Sequence, residues 1–192
     1  LNGQAGISVL SRHAGVEVYV ADVGIIPDVD ATGAKNADRL TVRKVARGTE
    51  DMSQGPAMTR EQAAQCILTG FELAAEVLKQ GVQVIGTGDM GIGNTTPSAA
   101  MGVVFTGQPA KLMTGPGTGL TPEGVAKKAA LIEQAIALNN PDKNDPLDVL
   151  AKVGGFEIGA IAGSILAGGY YKRVVMVDGF ISTAGALLAQ AI

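Results

Sequence analysis

Three short runs rich in β-branched residues constrain the fold most: Val16 to Val23 (VEVYVADV), Val82 to Ile85 (VQVI) and Val174 to Val177 (VVMV). Each leads into a turn containing Gly or Asp. β-Branched side chains suit a pleated surface, and short apolar runs bounded by turn residues read as buried strands. Between these runs the apolar period lengthens to that of a helix. A chain alternating in this way covers a parallel sheet with helices, because a parallel crossover needs a helix-length connection. The expected fold class is α/β, a three-layer, Rossmann-like parallel sheet flanked by helices.

The helical stretches carry their own punctuation. Thr59 can cap a helix start while Gln62 reaches back to it, with Ile67, Phe71, Ala74 and Leu78 as the core face and a stop near Gly81. A second helix opens at Thr121, with Pro122 in its first position and Glu123 favoured by the dipole, and runs to about Leu138. Asn139 to Pro146 (NNPDKNDP) reads as a surface loop, and Leu147 begins the next helix. Val29 to Ala57 has no sustained period and reads as a long surface connection. The 192 residues suffice for one core, so residues 1–192 are expected to form one domain, at most with an appendage.

Charge and composition exclude several roles. A formal net charge of -3 and a pI of about 5.1 leave no basic surface for nucleic acid. The longest weakly charged run, Phe156 to Tyr171, contains Glu157 and several glycines and falls short of the roughly 20 apolar residues that span a bilayer. It reads as a buried helix, and no membrane partner is expected. Cys66 is the only cysteine, which excludes an internal disulfide and a thiolate zinc cluster and fits the reducing cytoplasm. His13, the sole histidine, has no triad or metal-ligand spacing around it, so no metal is expected. The chain opens at Leu1 without a Met or a basic leader and is expected to be part of something longer.

The glycine loops point to an anion. Gly86-Thr-Gly-Asp-Met-Gly91 matches the dinucleotide pattern GxGxxG after a strand. That pattern also needs an acid about 20 residues on, and no Asp or Glu occurs between Asp89 and Glu123. A dinucleotide-dependent oxidoreductase is therefore disfavoured but stays open as an alternative. The acid-free stretch holds two glycine–hydroxyl clusters, Gly91-Ile-Gly-Asn-Thr-Thr96 and Gly115-Pro-Gly-Thr-Gly119, each leading towards a helix start. Glycines let backbone amides approach an oxyanion, hydroxyls add donors, and a helix N-terminus adds partial positive charge. The Gly-Lys-Ser/Thr of a triphosphate loop is absent, so a monophosphate fits better. Lys127 or Lys128 could swing back to such a phosphate, while Asp22, Asp89 and Asp178 are placed to accept from ribose hydroxyls or a base. The plainer alternatives are that the glycines only make turns and that the lysines only solvate a helix face.

Longer runs are more specific. Gly88-Asp-Met-Gly-Ile-Gly-Asn-Thr-Thr96, Gly117-Thr-Gly-Leu120, Gly154-Gly-Phe-Glu-Ile-Gly159 and Val177-Asp-Gly-Phe-Ile-Ser-Thr-Ala184 resemble the nicotinate-nucleotide:dimethylbenzimidazole phosphoribosyltransferase family, as do Pro56-Ala-Met-Thr-Arg-Glu61 and Val20-Ala-Asp-Val-Gly24. The likeness covers essentially the whole chain.

Membership implies transfer of the 5-phosphoribosyl group from nicotinate mononucleotide to 5,6-dimethylbenzimidazole or a related base in cobamide synthesis, with no cofactor and in a homodimer. By resemblance, Gly91, Asn94, Thr95, Gly117, Thr118, Gly119 and Lys128 hold the phosphoribosyl group, Asp178 lies near the ribose, and Asp89 stands at the base pocket where relatives often carry glutamate. The family extends before Leu1 and beyond Ile192, and its general-base glutamate lies in the latter part. The expectation is a chain that keeps the phosphoribosyl site without full turnover. A non-catalytic nucleotide-binding subunit or truncated paralogue is the alternative within the same fold.

Overall fold

The computed structural model describes residues 3–117 and 119–192, which form two compact units, Leu1–Gly48 and Thr49–Ile192. In the first, helix α1 (Gly6–Ala14) carries His13 and closes at Gly15, whose φ of 69° is left-handed. Strand β1 (Val20–Asp22) pairs in parallel with β2 (Leu40–Val42), Val20 opposite Leu40 and Asp22 opposite Val42. The segment from Val29 to Ala57 is therefore not only a connection: a 3-10 turn (Ala37–Arg39) and β2 lie within it. Its three-residue Leu-Thr-Val run is too short to show a period.

Asp22 is buried in that unit, and its Oδ1 accepts from the amides of Gly24 and Ile25, both at 3.0 Å. Lys44 Nζ lies 3.1 Å from Asp22 Oδ2 and donates to the carbonyls of Ile25 and Pro27 at 2.6 Å. Every one of these contacts shapes the turn after β1.

The second unit begins with α2 (Arg60–Lys79), opened by the expected capping box: Thr59 Oγ1 accepts from Gln62 N at 3.2 Å, and Gln62 Oε1 accepts from Thr59 N at 2.9 Å. The helix stops before Gly81, where φ is 100°. Its buried face is Ala63, Cys66, Thr69, Gly70, Ala74, Ala75 and Leu78, whereas Ile67 and Phe71 are only half-buried. The expected face is thus rotated by about one residue. The reason is α7 (Phe156–Tyr171), which packs along α2 so closely that small residues, not large ones, occupy the contact. A Cβ at Gly163 would run into the carbonyl oxygen of Ile67, and one at Gly70 into that of Ala160.

Strands β3 (Val84–Gly86) and β4 (Val174–Met176) pair in parallel, Val84 opposite Val174 and Gly86 opposite Met176. All three strand runs are shorter than their sequence signals. Among the described residues the strands form two pairs rather than one sheet. Nor is the β3–β4 pair buried: Val84 is 53% exposed and Met176 61%. A pair of strands cannot cover both of its own faces.

The remaining helices are α3 (Thr95–Thr106), the short α4 (Ala110–Met113), α5 (Pro122–Asn139), α6 (Pro146–Val153) and α8 (Phe180–Ala191). Thr121 caps α5 through Gly124 N, and Asp145 caps α6 through Asp148 N, both at 3.2 Å. Asn139, expected in a surface loop, is the buried last residue of α5 and donates to Met52 O at 2.7 Å. The core lies where α3, α6, α7 and α8 meet, around Met101, Leu150, Ile158 and Leu188. The fold is mixed α/β, with many helices and short parallel strands.

Candidate functional site

β3 and β4 run side by side in the same direction, so the loops after them leave the same end of the pair. Thr87 N donates to Met176 O at 3.0 Å, extending the pairing one step before the chains part. The first chain continues as residues 87–94 into α3, the second as Val177, Asp178 and Gly179 into α8. Ligands of parallel α/β folds bind at this carboxyl end.

In the first loop, Asn94 Nδ2 donates to Asp89 Oδ2 at 2.9 Å and reaches Met90 O at 3.4 Å. Asn94 occupies the cap position of α3 yet makes no side-chain cap. It is only 6% exposed, and its Oδ1 is buried without a partner. A buried amide oxygen left unpaired costs free energy that a ligand can recover. The first amides of α3 are likewise unpaired by helix geometry and point out of its N-terminus. Gly93 holds the turn with φ of 82°.

Thr95 is the first residue of α3, and Lys128, on the second turn of α5, donates to its Oγ1 at 2.5 Å. Burial lowers the Lys128 ammonium from its usual range, and no carboxylate pairs with it among the described residues. Lys127, by contrast, is exposed. Just before α5, Gly117 and Gly119 both have positive φ, 53° and 125°, and Pro116 O accepts from the amides of Gly119 and Leu120 at 3.1 and 2.9 Å. Thr118 lies outside the described residues.

Of the expected site residues, the structure joins Asp89, Gly91, Asn94, Thr95 and Lys128 into one continuous locus. Asp178 is exposed on the parallel loop, ahead of Gly179 at the N-terminus of α8. Asp22 makes a turn in the other compact unit. The GxGxxG match does not form a dinucleotide loop, because α3 begins only at Thr95, beyond all three matching glycines.

Two residues received no role from the sequence. Ser182, in the first turn of α8, is fully buried and its Oγ has no partner. Glu157, in the first turn of α7, is the only charged residue of that helix. Burial raises its carboxyl above the usual range, and the Asp89 carboxylate adds to the effect. A single acid in an otherwise uncharged, buried helix is a signal that sequence reasoning could have used.

Among the described residues, no group of three or more His, Cys, Asp or Glu side chains is disposed to hold a metal ion, and no helix is long and apolar enough to cross a membrane.

A family model described as phosphoribosyltransferase matches residues 1–192. The chain belongs to that phosphoribosyltransferase family. It is 52% identical over 98% of its length to the nicotinate-nucleotide--dimethylbenzimidazole phosphoribosyltransferase of Geobacter sulfurreducens, and 50% identical over 97% to that of Desulforudis audaxviator. In each case it covers 52% of the relative, so the chain spans about half the length of the curated relatives it matches. The crystal structure of CobT from Thermus thermophilus superposes with a TM-score of 0.90 at 39% identity, over 98% of this chain and 55% of that one. The likeness to the solved phosphoribosyltransferase supports the mixed α/β fold.

Proposed function

We propose that this phosphoribosyltransferase chain holds the 5-phosphoribosyl group of nicotinate mononucleotide for transfer to 5,6-dimethylbenzimidazole or a related base. The products are the α-riboside 5′-phosphate, a precursor of the cobamide lower ligand, and nicotinate. The observation that carries this reading is the Lys128–Thr95 hydrogen bond at the N-terminus of α3, beside the unpartnered Asn94 oxygen. One ammonium, one hydroxyl and the free amides of a helix start form a monophosphate cradle that needs no metal.

The chemistry suits such a cradle. Nicotinate in the mononucleotide is a pyridinium, so breaking its bond to the anomeric carbon releases a neutral ring nitrogen. The incoming azole nitrogen attacks from the opposite face, and the proton on its other nitrogen passes to a carboxylate. Positioning therefore supplies most of the acceleration. Gly91, Asn94, Thr95, Gly117, Thr118, Gly119 and Lys128 are assigned to the phosphoribosyl group, Asp178 to the ribose and Asp89 to the base. The general base comes from outside residues 1–192.

In this reading residues 1–192 are the central domain of a cytoplasmic homodimer. The β3–β4 pair is read as part of a three-layer, Rossmann-like parallel sheet flanked by helices, and its exposed apolar residues Val84, Val174 and Met176 support such burial. Calorimetric titration with nicotinate mononucleotide tests the proposal, with nicotinate and NAD as controls. Saturable binding that needs the phosphate and weakens in Lys128→Met is expected. No binding by the folded chain, or binding indifferent to Lys128, overturns it.

A further inference from the structure

The Asn94 side chain is held in one orientation. Its Nδ2 donates to Asp89 Oδ2 at 2.9 Å and to Met90 O at 3.4 Å. Turning the amide over would set its oxygen against two acceptors, so the hydrogen-bond network fixes which end is which. What is left over is Oδ1, a buried acceptor with no partner among the described residues. Only a donor completes such an atom, and the nearby Lys128 ammonium is turned to Thr95 Oγ1 instead.

The chemistry of this oxygen separates it from the phosphate cradle beside it. At neutral pH a phosphate monoester is mostly a dianion, which accepts hydrogen bonds and offers none. Its oxygens suit the Lys128 ammonium and the first amides of α3, whereas an amide oxygen repels them. Asn94 adjoins Thr95 in the chain, and a ribose carries its hydroxyls a few bonds from its 5-phosphate. A sugar hydroxyl is therefore the donor that a phosphate in the cradle brings within reach. The oxygen is enclosed in the free chain, yet the loop that carries it is lightly packed: Met90 is 76% exposed and Ile92 80%. A small shift of that loop admits the hydroxyl.

We propose that Asn94 Oδ1 is the sugar-recognising atom of this site: it accepts from the 2′- or 3′-hydroxyl of the phosphoribosyl group, selects ribose over deoxyribose, and takes no part in holding the phosphate. The proposal rests on the phosphoribosyl reading for the identity of the ligand. Asp89 acts through Asn94 as a positioning residue, since by accepting from Nδ2 it leaves the oxygen end of the amide for the ligand.

Calorimetry on the full chain compares nicotinate mononucleotide with its 2′-deoxy and 3′-deoxy analogues. Wild type is expected to bind the parent about tenfold or more tighter than one of the analogues, which identifies the hydroxyl. Asn94→Ala is expected to erase that preference by weakening the parent, leaving the affinity of the analogue nearly unchanged. Asn94→Asp keeps an acceptor in the same place and is expected to retain the preference, even where its charge weakens every phosphate-bearing probe. That second variant separates recognition of the hydroxyl from a role in shaping the loop, and it decides alone if Asn94→Ala does not melt cooperatively. No preference in wild type, a preference that survives Asn94→Ala, or one that is lost in Asn94→Asp as well overturns the proposal. Failure of the phosphate cradle is read separately through Lys128→Met: an intact cradle makes this variant weaken all three probes alike and keep their ratio, whereas a failed one leaves all three affinities unchanged.

Discussion

Lys128 Nζ and Thr95 Oγ1 lie 2.5 Å apart although 33 residues separate them in sequence, and this bond ties α5 to the first residue of α3. A half-buried ammonium that meets only a hydroxyl is poised for an anion. Lys128→Met should therefore leave the melting temperature nearly unchanged while weakening nicotinate mononucleotide. A charge-assisted hydrogen bond contributes roughly 1.5–3 kcal/mol, equivalent to a loss of about ten- to a hundredfold in affinity. Parallel thermal melts and calorimetry check both halves.

The close approach of α2 and α7 predicts the most damaging small changes. A Cβ at Gly163 would stand 2.7 Å from Phe71 N in addition to striking Ile67 O. Backbone cannot swing away as a side-chain tip can. Gly163→Ala and Gly70→Ala should each destabilise by at least about 3 kcal/mol, the upper range for overpacking. Urea denaturation measures this directly; a loss below about 1 kcal/mol would show that the helices slide apart cheaply.

Thr59 makes half of the reciprocal cap at the start of α2. Thr59→Ala should cost about 1 kcal/mol in the same denaturation experiment, as removal of an N-cap hydroxyl does elsewhere. Gln62→Ala should cost less, because the Thr59 amide it releases is near solvent.

Glu157 gives a pH dependence whose sign follows from its raised carboxyl. An acid with a higher pKa folded than unfolded binds its proton more tightly in the native state. Its stabilising contribution is complete below the ordinary value of 4.5 and is lost as pH rises through the elevated folded value. Glu157→Gln should therefore be more stable than wild type at neutral pH, with the difference shrinking as pH falls towards 4.5. Melts across that window check it.

Local punctuation made much of the helical layer legible. Thr59, Gln62, Gly81, Thr121 and Pro122 each act within a few residues of themselves, so their effects survive in any tertiary setting. The rotated face of α2 was not legible, because it depends on Gly159 and Gly163, more than ninety residues away in sequence and visible only once α7 is in place. Likewise β2 carries too few residues to announce itself, and its pairing with β1 is a long-range contact. In the site, the glycine–hydroxyl loops and Lys128 could be read from spacing and likeness. Glu157 and Ser182 gained meaning only through burial and missing partners, which no linear pattern records.

Cys66 closes the argument about α2 and α7 from the side of chemistry. Its Sγ bonds to Ala63 O at 3.1 Å, it has no exposed surface, and burial pushes its thiol up to about 12. A Cβ on Gly159 would collide with that sulfur, so the lid over the thiol is bare backbone. An alkylating reagent meets a reactive thiolate only after the two helices have separated. The protein thus carries its own clock: the rate at which Cys66 becomes labelled times the opening of its tightest seam, without any introduced cysteine.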